Sequence, residues 1–164
     1  MKSPRIEAIY LATRAGAGMV RVAGAEAVAG LGLAADRYLL GTGFFSPRNV
    51  CEVTFIEAEA LERMEKLFGV EVAHGQHRRN IVTRDVAHAE LRGRRFRVGA
   101  VTFDYDRPRP PCGYLERITE PRMTRAMGEG PGFCARVITD GNIREGDGIV
   151  VTTEAPERPL RHLP

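Results

Sequence analysis

The chain has 164 residues, 43% of them hydrophobic and 27% charged, with a formal net charge of +3. That length can bury a core without disulfides or a structural metal, and the N-terminal MKSPRIEAIYLAT lacks the apolar run of a signal peptide or membrane helix. A single cytoplasmic domain over residues 1–153, without a signal peptide or membrane helix, is therefore the expectation.

In chain order, RIEAIYLAT (5–13) alternates as a strand does, and MVRVAGAEAVAG (19–30) reads as a second extended piece running into the glycine-rich GLGLAAD. The stretch DRYLLGTGFFSPRN (36–49) reads as a long loop, since Gly41, Gly43 and Pro47 break any regular element. CEVTFI (51–56) is a short apolar strand. After it, EAEALERMEKLFG (57–69) is a helix with Leu61, Met64, Leu67 and Phe68 on its core face and Gly69 as its stop.

NIVT (80–83) reads as a buried strand, and LRGRRFRVG with AVTFDYD as a hairpin about Gly99. GFCARVIT, the tight turn Asp140-Gly141-Asn142 and IREGDGIVVTT read as a second hairpin followed by a further strand. The proline-rich residues 154–164 read as a loosely ordered tail. Many short strands with a few short helices predict a mainly β fold, an antiparallel barrel or sandwich.

Three cysteines far apart, Cys51, Cys112 and Cys134, offer neither a disulfide framework nor a CxxC pair, which suits a reducing compartment. Cys51 and Cys134 sit in apolar strand patterns, where inert buried thiols are expected. Cys112 differs, because RPRPPCGYLER places it after two prolines, with Arg107, Arg109 and Arg117 nearby and a helix start behind it. Both features favour the thiolate.

A cysteine hydrolase needs a histidine base, and His74, His77, His88 and His162 have no spacing that pairs one with Cys112. The HGQH pair lacks the further ligands of a zinc site, and no phosphate-binding glycine motif is present. Arginine clusters in HRRN (77–80), LRGRRFRV (91–98) and RPRP (107–110), which makes a small anionic ligand a fitting partner.

Several of these segments together resemble the MOSC family, named for the C-terminal domain of molybdenum cofactor sulfurase. They are GLGLAADRY, GTGFFS, TFIEAEALERM, HRRNIVTRD, LRGRRFRVG, PPCGYLERIT and ARVITDGNIREGD, in the family's order. The resemblance implies a β-barrel-like fold and places the family's cysteine on Cys112. It implies either a sulfur carrier, charged as a persulfide by a pyridoxal-phosphate cysteine desulfurase or other sulfur donor, or a protein that binds molybdenum cofactor through that cysteine. In either case it allows for a chain purified with no cofactor bound.

On the family pattern Asp36, Arg37, Arg79, Asn80, Arg109 and Cys112 line the pocket, Cys112 being the catalytic thiol and the molybdenum ligand if cofactor is held. A molybdenum-cofactor-dependent reductase of N-oxygenated compounds is an alternative, although the separate N-terminal barrel of such reductases is absent from this sequence.

Two positions depart from the pattern: Ala35 stands where the family has glycine before the Asp-Arg pair, and Asp85 replaces a glycine-containing turn. A third reading, from a different class, is a noncatalytic barrel stacking single-stranded nucleic acid on Phe44, Phe45, Phe96, Phe103, Tyr105 and Tyr114. The modest charge and an aromatic content of only 7% do not favour it.

Overall fold

The structure is a computed structural model and describes residues 2–44 and 51–157. Phe45, Pro47, His162 and the last seven residues lie outside the described residues. The chain begins with β1 (Arg5–Leu11), β2 (Val20–Val22), β3 (Gly24–Val28) and β4 (Gly32–Leu33), then a single helical turn, α1 (Arg37–Leu40). Next come β5 (Val53–Glu57), α2 (Ala58–Phe68), β6 (Ile81–Arg84), α3 (His88–Leu91), β7 (Arg95–Val98) and β8 (Val101–Pro108). The remainder is α4 (Gly113–Ile118), α5 (Met123–Ala126), β9 (Phe133–Val137), β10 (Gly141–Arg144) and β11 (Ile149–Val151).

Eight strands form one sheet in the order β11-β7-β8-β9-β5-β6-β1-β2, curled into a half-barrel, and β10-β3-β4 form a small second sheet. The mainly β expectation holds, with the few helices short. Among the described residues one pair is parallel, β5 with β6, and α2 makes the crossover that such a pair requires.

Period-two alternation assigns the two faces of the central strands. Ile9, Phe55 and Ile81 point into the concave core, where Phe55 meets Phe96, Phe103 and Phe133 at ring-centroid distances of 5.4, 5.4 and 5.1 Å. Tyr10, Ile56 and Val82 point to the opposite face, which is covered by Ala60 and Met64 of α2, Leu115 of α4 and Met123 of α5. Phe96 and Phe103 are thus fully buried and cannot stack bases, which removes two of the aromatics on which a nucleic-acid surface was read.

The structure corrects several readings. The α2 stripe centres on Ala60 and Met64, and Leu67 is 61% exposed. Three residues along, Leu67 stands about 60° around the axis from Met64, at the rim of the stripe. The segment 19–30 is two strands in different sheets, because the chain turns at Ala23 and β3 leaves to pair with β10. For the same reason Asp140-Gly141-Asn142 does not close a hairpin between β9 and β10. Asp140 Oδ1 accepts from Ala29 N–H at 2.7 Å, steering β10 toward β3. The hairpin about Gly99 forms as expected, between β7 and β8.

Cys51 and Cys134 are not separate thiols: they form a disulfide across 83 residues, with Cα atoms 5.8 Å apart. Cys134 lies in β9 and Cys51 just ahead of β5, and these strands pair antiparallel. That adjacency is long-range and has no local signature. With two of three cysteines joined, the cysteine pattern no longer argues for a reducing compartment. No helix among the described residues is long and apolar enough to cross a membrane.

Candidate functional site

The turn before Cys112 is built by a bulge and a glycine. The register between β8 and β9 slips between Tyr105 and Arg107, a bulge that re-aims the end of β8. The chain then stays on β9 through Arg109 N–H, which donates to Gly132 O at 3.0 Å. Gly132 has φ +86°, and a Cβ there would collide with the Phe55 carbonyl oxygen, so no other residue fits. Pro110 and Pro111 follow, then Cys112 in extended backbone, then α4, held down by buried Leu115. Cys112 is a free, partly exposed cysteine. The expected helix start is there, although α4 has only six residues.

A second wall comes from α1. Asp36 is its N-cap: Oδ2 accepts from Tyr38 N–H at 3.2 Å, and Oδ1 accepts from Ala12 N–H at 3.1 Å and from Arg37 Nη1 at 3.2 Å. Arg37 also donates to Arg78 O at 3.0 Å and to Tyr38 Oη at 3.3 Å. Ala35, just before this cap, has φ +65°, and Asp85 has φ +62°. Both positions where the family's glycine is replaced adopt the left-handed conformation that a glycine would take without strain.

The third wall is the turn HRRN. Arg78 has φ +65°, and Arg79 N–H donates to His77 Nδ1 at 2.9 Å. That bond fixes Nδ1 as unprotonated. Burial first, then the charges of Arg79 and Arg78, hold His77 down to about 3, so the ring is neutral. Asn80 is fully buried: its Oδ1 accepts from Thr54 N–H and Oγ1, both at 3.0 Å, and its Nδ2 donates to Tyr10 O at 3.1 Å. Asn80 therefore stitches β1, β5 and β6 together beneath the turn.

These walls enclose a cavity of about 390 Å³ at whose surface Arg37, Tyr38, Arg78, Arg79, Arg109 and Cys112 meet. Of the residues expected from sequence, Arg37, Arg79, Arg109 and Cys112 line it. Asp36 and Asn80 lie behind the lining and hold it in place. Sequence reading missed Tyr38 and Arg78; Phe44 and Tyr114, read there only as surfaces for stacking nucleic acid, line this cavity with their rings stacked 3.9 Å apart at 9°. The segments HRRN and DRY carry Arg78 and Tyr38 in plain view, but only the fold turns them toward Cys112.

Arg79 is buried, and burial together with Arg109 and Arg37 lowers it to about 10 against the opposing pull of Tyr38 and Cys112. Arg78 and Arg107 are lowered too, by burial and then by neighbouring guanidiniums. Arg37 is matched by Asp36, and Arg107 Nη1 by Asp106 at 2.6 Å. The cavity therefore gathers more positive charge than its own carboxylates balance, around a thiol that can serve as nucleophile or soft metal ligand. Among the described residues no three His, Cys, Asp or Glu side chains cluster as an all-protein metal site.

A half-barrel whose strand ends carry one free cysteine amid guanidiniums defines a class of thiol-bearing β proteins with an arginine-lined cavity. The family model for the MOSC domain matches residues 46–150, and the chain belongs to that family. No curated protein is similar enough in sequence to count as a match.

The fold is similar to that of the YuaD protein from Bacillus subtilis, with a TM-score of 0.72, 16% identity, and coverage of 92% of this chain and 96% of that one. It is also similar to YiiM from Geobacillus stearothermophilus, with a TM-score of 0.69, 17% identity, and coverage of 91% and 75%. YiiM from Escherichia coli gives a TM-score of 0.65, 18% identity, and coverage of 93% and 72%. Membership in the family implies a function related to molybdenum cofactor.

Proposed function

We propose that the cavity binds molybdenum cofactor, with Cys112 as the protein's sulfur ligand to the metal. The observation that carries this reading is the join of a free thiol to an arginine-lined cavity of about 390 Å³. That volume lies within the range of small-molecule sites and exceeds what a single transferred sulfur atom needs. The donor set fits the group: Cys112 supplies a soft thiolate for molybdenum, and Arg78, Arg79 and Arg109 supply forked donors for a phosphate. The stacked pair Phe44 and Tyr114 offers an apolar flank to a flat ring.

When bound, the cofactor supplies two-electron redox chemistry. The protein's own residues orient it, neutralise its charge and keep water from part of its surface. The test is purification from a host that makes the cofactor freely, followed by metal analysis and detection of the released pterin. Molybdenum should be present at close to one atom per chain together with its pterin, and Cys112→Ser should lower the content of both. Absence of both from the unsubstituted protein would overturn the reading.

A second reading, sulfur carriage, is favoured by the partial exposure of Cys112, which a macromolecular donor can reach. The thiolate would attack the outer sulfur of a cysteine desulfurase persulfide, forming Cys112–S–S⁻ and releasing the donor thiolate. Intact mass after incubation with desulfurase and cysteine should then rise by one sulfur, and the gain should vanish in Cys112→Ser.

A further inference from the structure

Tyr38 stands at the meeting point of the cavity walls. Its backbone N–H is fixed by the Asp36 cap at 3.2 Å, and the Arg37 guanidinium carbon lies 4.4 Å from its ring centroid. Arg37 Nη2 donates to the phenolic oxygen at 3.3 Å, so one lone pair is engaged and the hydroxyl hydrogen points elsewhere. Among the described residues no protein acceptor takes that hydrogen, although the ring lines the same cavity as Cys112 and Arg79. Burial alone would make the phenol less acidic, but Arg37, Arg109 and Arg79 more than offset it and lower its pKa below the ordinary value. A phenol in such a field is a strong hydrogen-bond donor.

We propose that Tyr38 is a ligand-binding residue, donating its phenolic hydrogen to an anionic oxygen of the small molecule held beside Cys112. This rests on the reading that the cavity takes an anionic small molecule. The ligand class is an oxyanion, such as a phosphate ester or carboxylate, and Tyr38 adds a directional neutral donor to the guanidiniums around it. Arg37, Arg78, Arg79, Arg107 and Arg109 face the hydroxyl's cavity with Cys112 and Tyr114, while Asp36 and Asp106 are engaged by Arg37 and Arg107.

The probe is inorganic sulfate, whose charge is constant above neutral pH, titrated calorimetrically into Cys112→Ser protein so that thiol ionisation does not contribute. Tyr38→Phe in that background should bind sulfate about tenfold more weakly at pH 7, the loss expected for one hydrogen bond to a charged acceptor. With Tyr38 present, affinity should fall as pH rises from about 7 toward the ordinary tyrosine value of about 10, because a donor turns into an anion. Tyr38→Phe has no hydroxyl to ionise, so its profile should be shallower and keep only the part that loss of charge on Arg79 contributes.

Ultraviolet difference spectra should show one early phenolate that Tyr38→Phe removes, ahead of Tyr10 and Tyr105, which burial shifts upward. If sulfate binds Tyr38→Phe with unchanged affinity and pH profile while Arg109→Gln weakens it, the proposal fails and the anion-binding reading stands. If the parent protein binds no sulfate, both fail. Should Tyr38→Phe fold poorly, spectra of the parent with and without saturating sulfate keep the test intact: bound sulfate should move the early phenolate to higher pH, and an unmoved phenolate would overturn the proposal.

Discussion

Arg79 Nη2 donates to the backbone carbonyl of Arg109 at 2.9 Å, while its Nε donates to that of Pro131 at 2.8 Å. One buried guanidinium thus fastens the approach to Cys112 onto the approach to β9. Two hydrogen bonds from a charged donor contribute on the order of 3 kcal/mol. Arg79→Gln should lower the urea midpoint accordingly, and Arg79→Lys by a smaller amount, since one compact ammonium cannot span both carbonyls. Alkylation of Cys112 by iodoacetamide at neutral pH should slow in Arg79→Gln, because the thiolate loses a nearby cation.

Acid should destabilise the protein well above the usual carboxylate range. His77 and His88 are both held down to about 3, chiefly by burial, whereas an unfolded histidine titrates near 6.5. Between those values the unfolded chain binds more protons than the folded one, so stability falls as pH drops from about 6.5 toward 3 and is unaffected by these groups above it. The loss is on the order of 2 to 4 kcal/mol per histidine across the window. Urea midpoints at pH 7, 5 and 4 check this, and His88→Gln should flatten part of the slope.

The disulfide makes a prediction with two independent readouts. Closing 83 residues, it should contribute about 4 to 5 kcal/mol on the chain-entropy account. Adding reductant, or substituting Cys134→Ala, should lower the melting temperature by a similar amount in each case. Thiol titration of the denatured, unreduced chain should find one reactive group, Cys112, and three after reduction. Three before reduction would contradict the pairing.

Ala35 holds a left-handed backbone, at φ +65°, against the crowding of its Cβ. Ala35→Gly relieves that strain, which costs about 1 kcal/mol, but adds freedom to the unfolded chain. The net effect should be between neutral and about 1 kcal/mol stabilising, measured by chemical denaturation. A clear loss would mean that the methyl group packs usefully.

Much of this was legible in the sequence because it is local. Strand alternation in 5–11, the Gly69 helix stop and the proline turn before Cys112 all follow from neighbours within a few residues. What escaped depends on contacts between distant segments. Cys134 reads as apolar filling until β9 is laid beside β5. Asp140-Gly141-Asn142 reads as a hairpin until Asp140 is seen to hold Ala29. Tyr38 and Arg78 belong to motifs already singled out, but facing the thiol is a property of tertiary placement. Asp36 and Asn80 show the converse: residues expected at the surface of the pocket spend their polar atoms on backbone amides and carbonyls and on the side chains of Arg37 and Thr54, holding the lining from behind.

The cavity wall is drawn from α1, the turn before β6, the end of β8 and the start of α4, and the Arg79 bond to Pro131 requires the approach to β9 as well. No short stretch of the chain contains all of these pieces. A growing polypeptide can assemble the pocket only once residues up to about Val137 have emerged and β9 has docked between β5 and β8. Whatever this cavity takes would therefore be bound only after β9 has docked, late in synthesis rather than at its start.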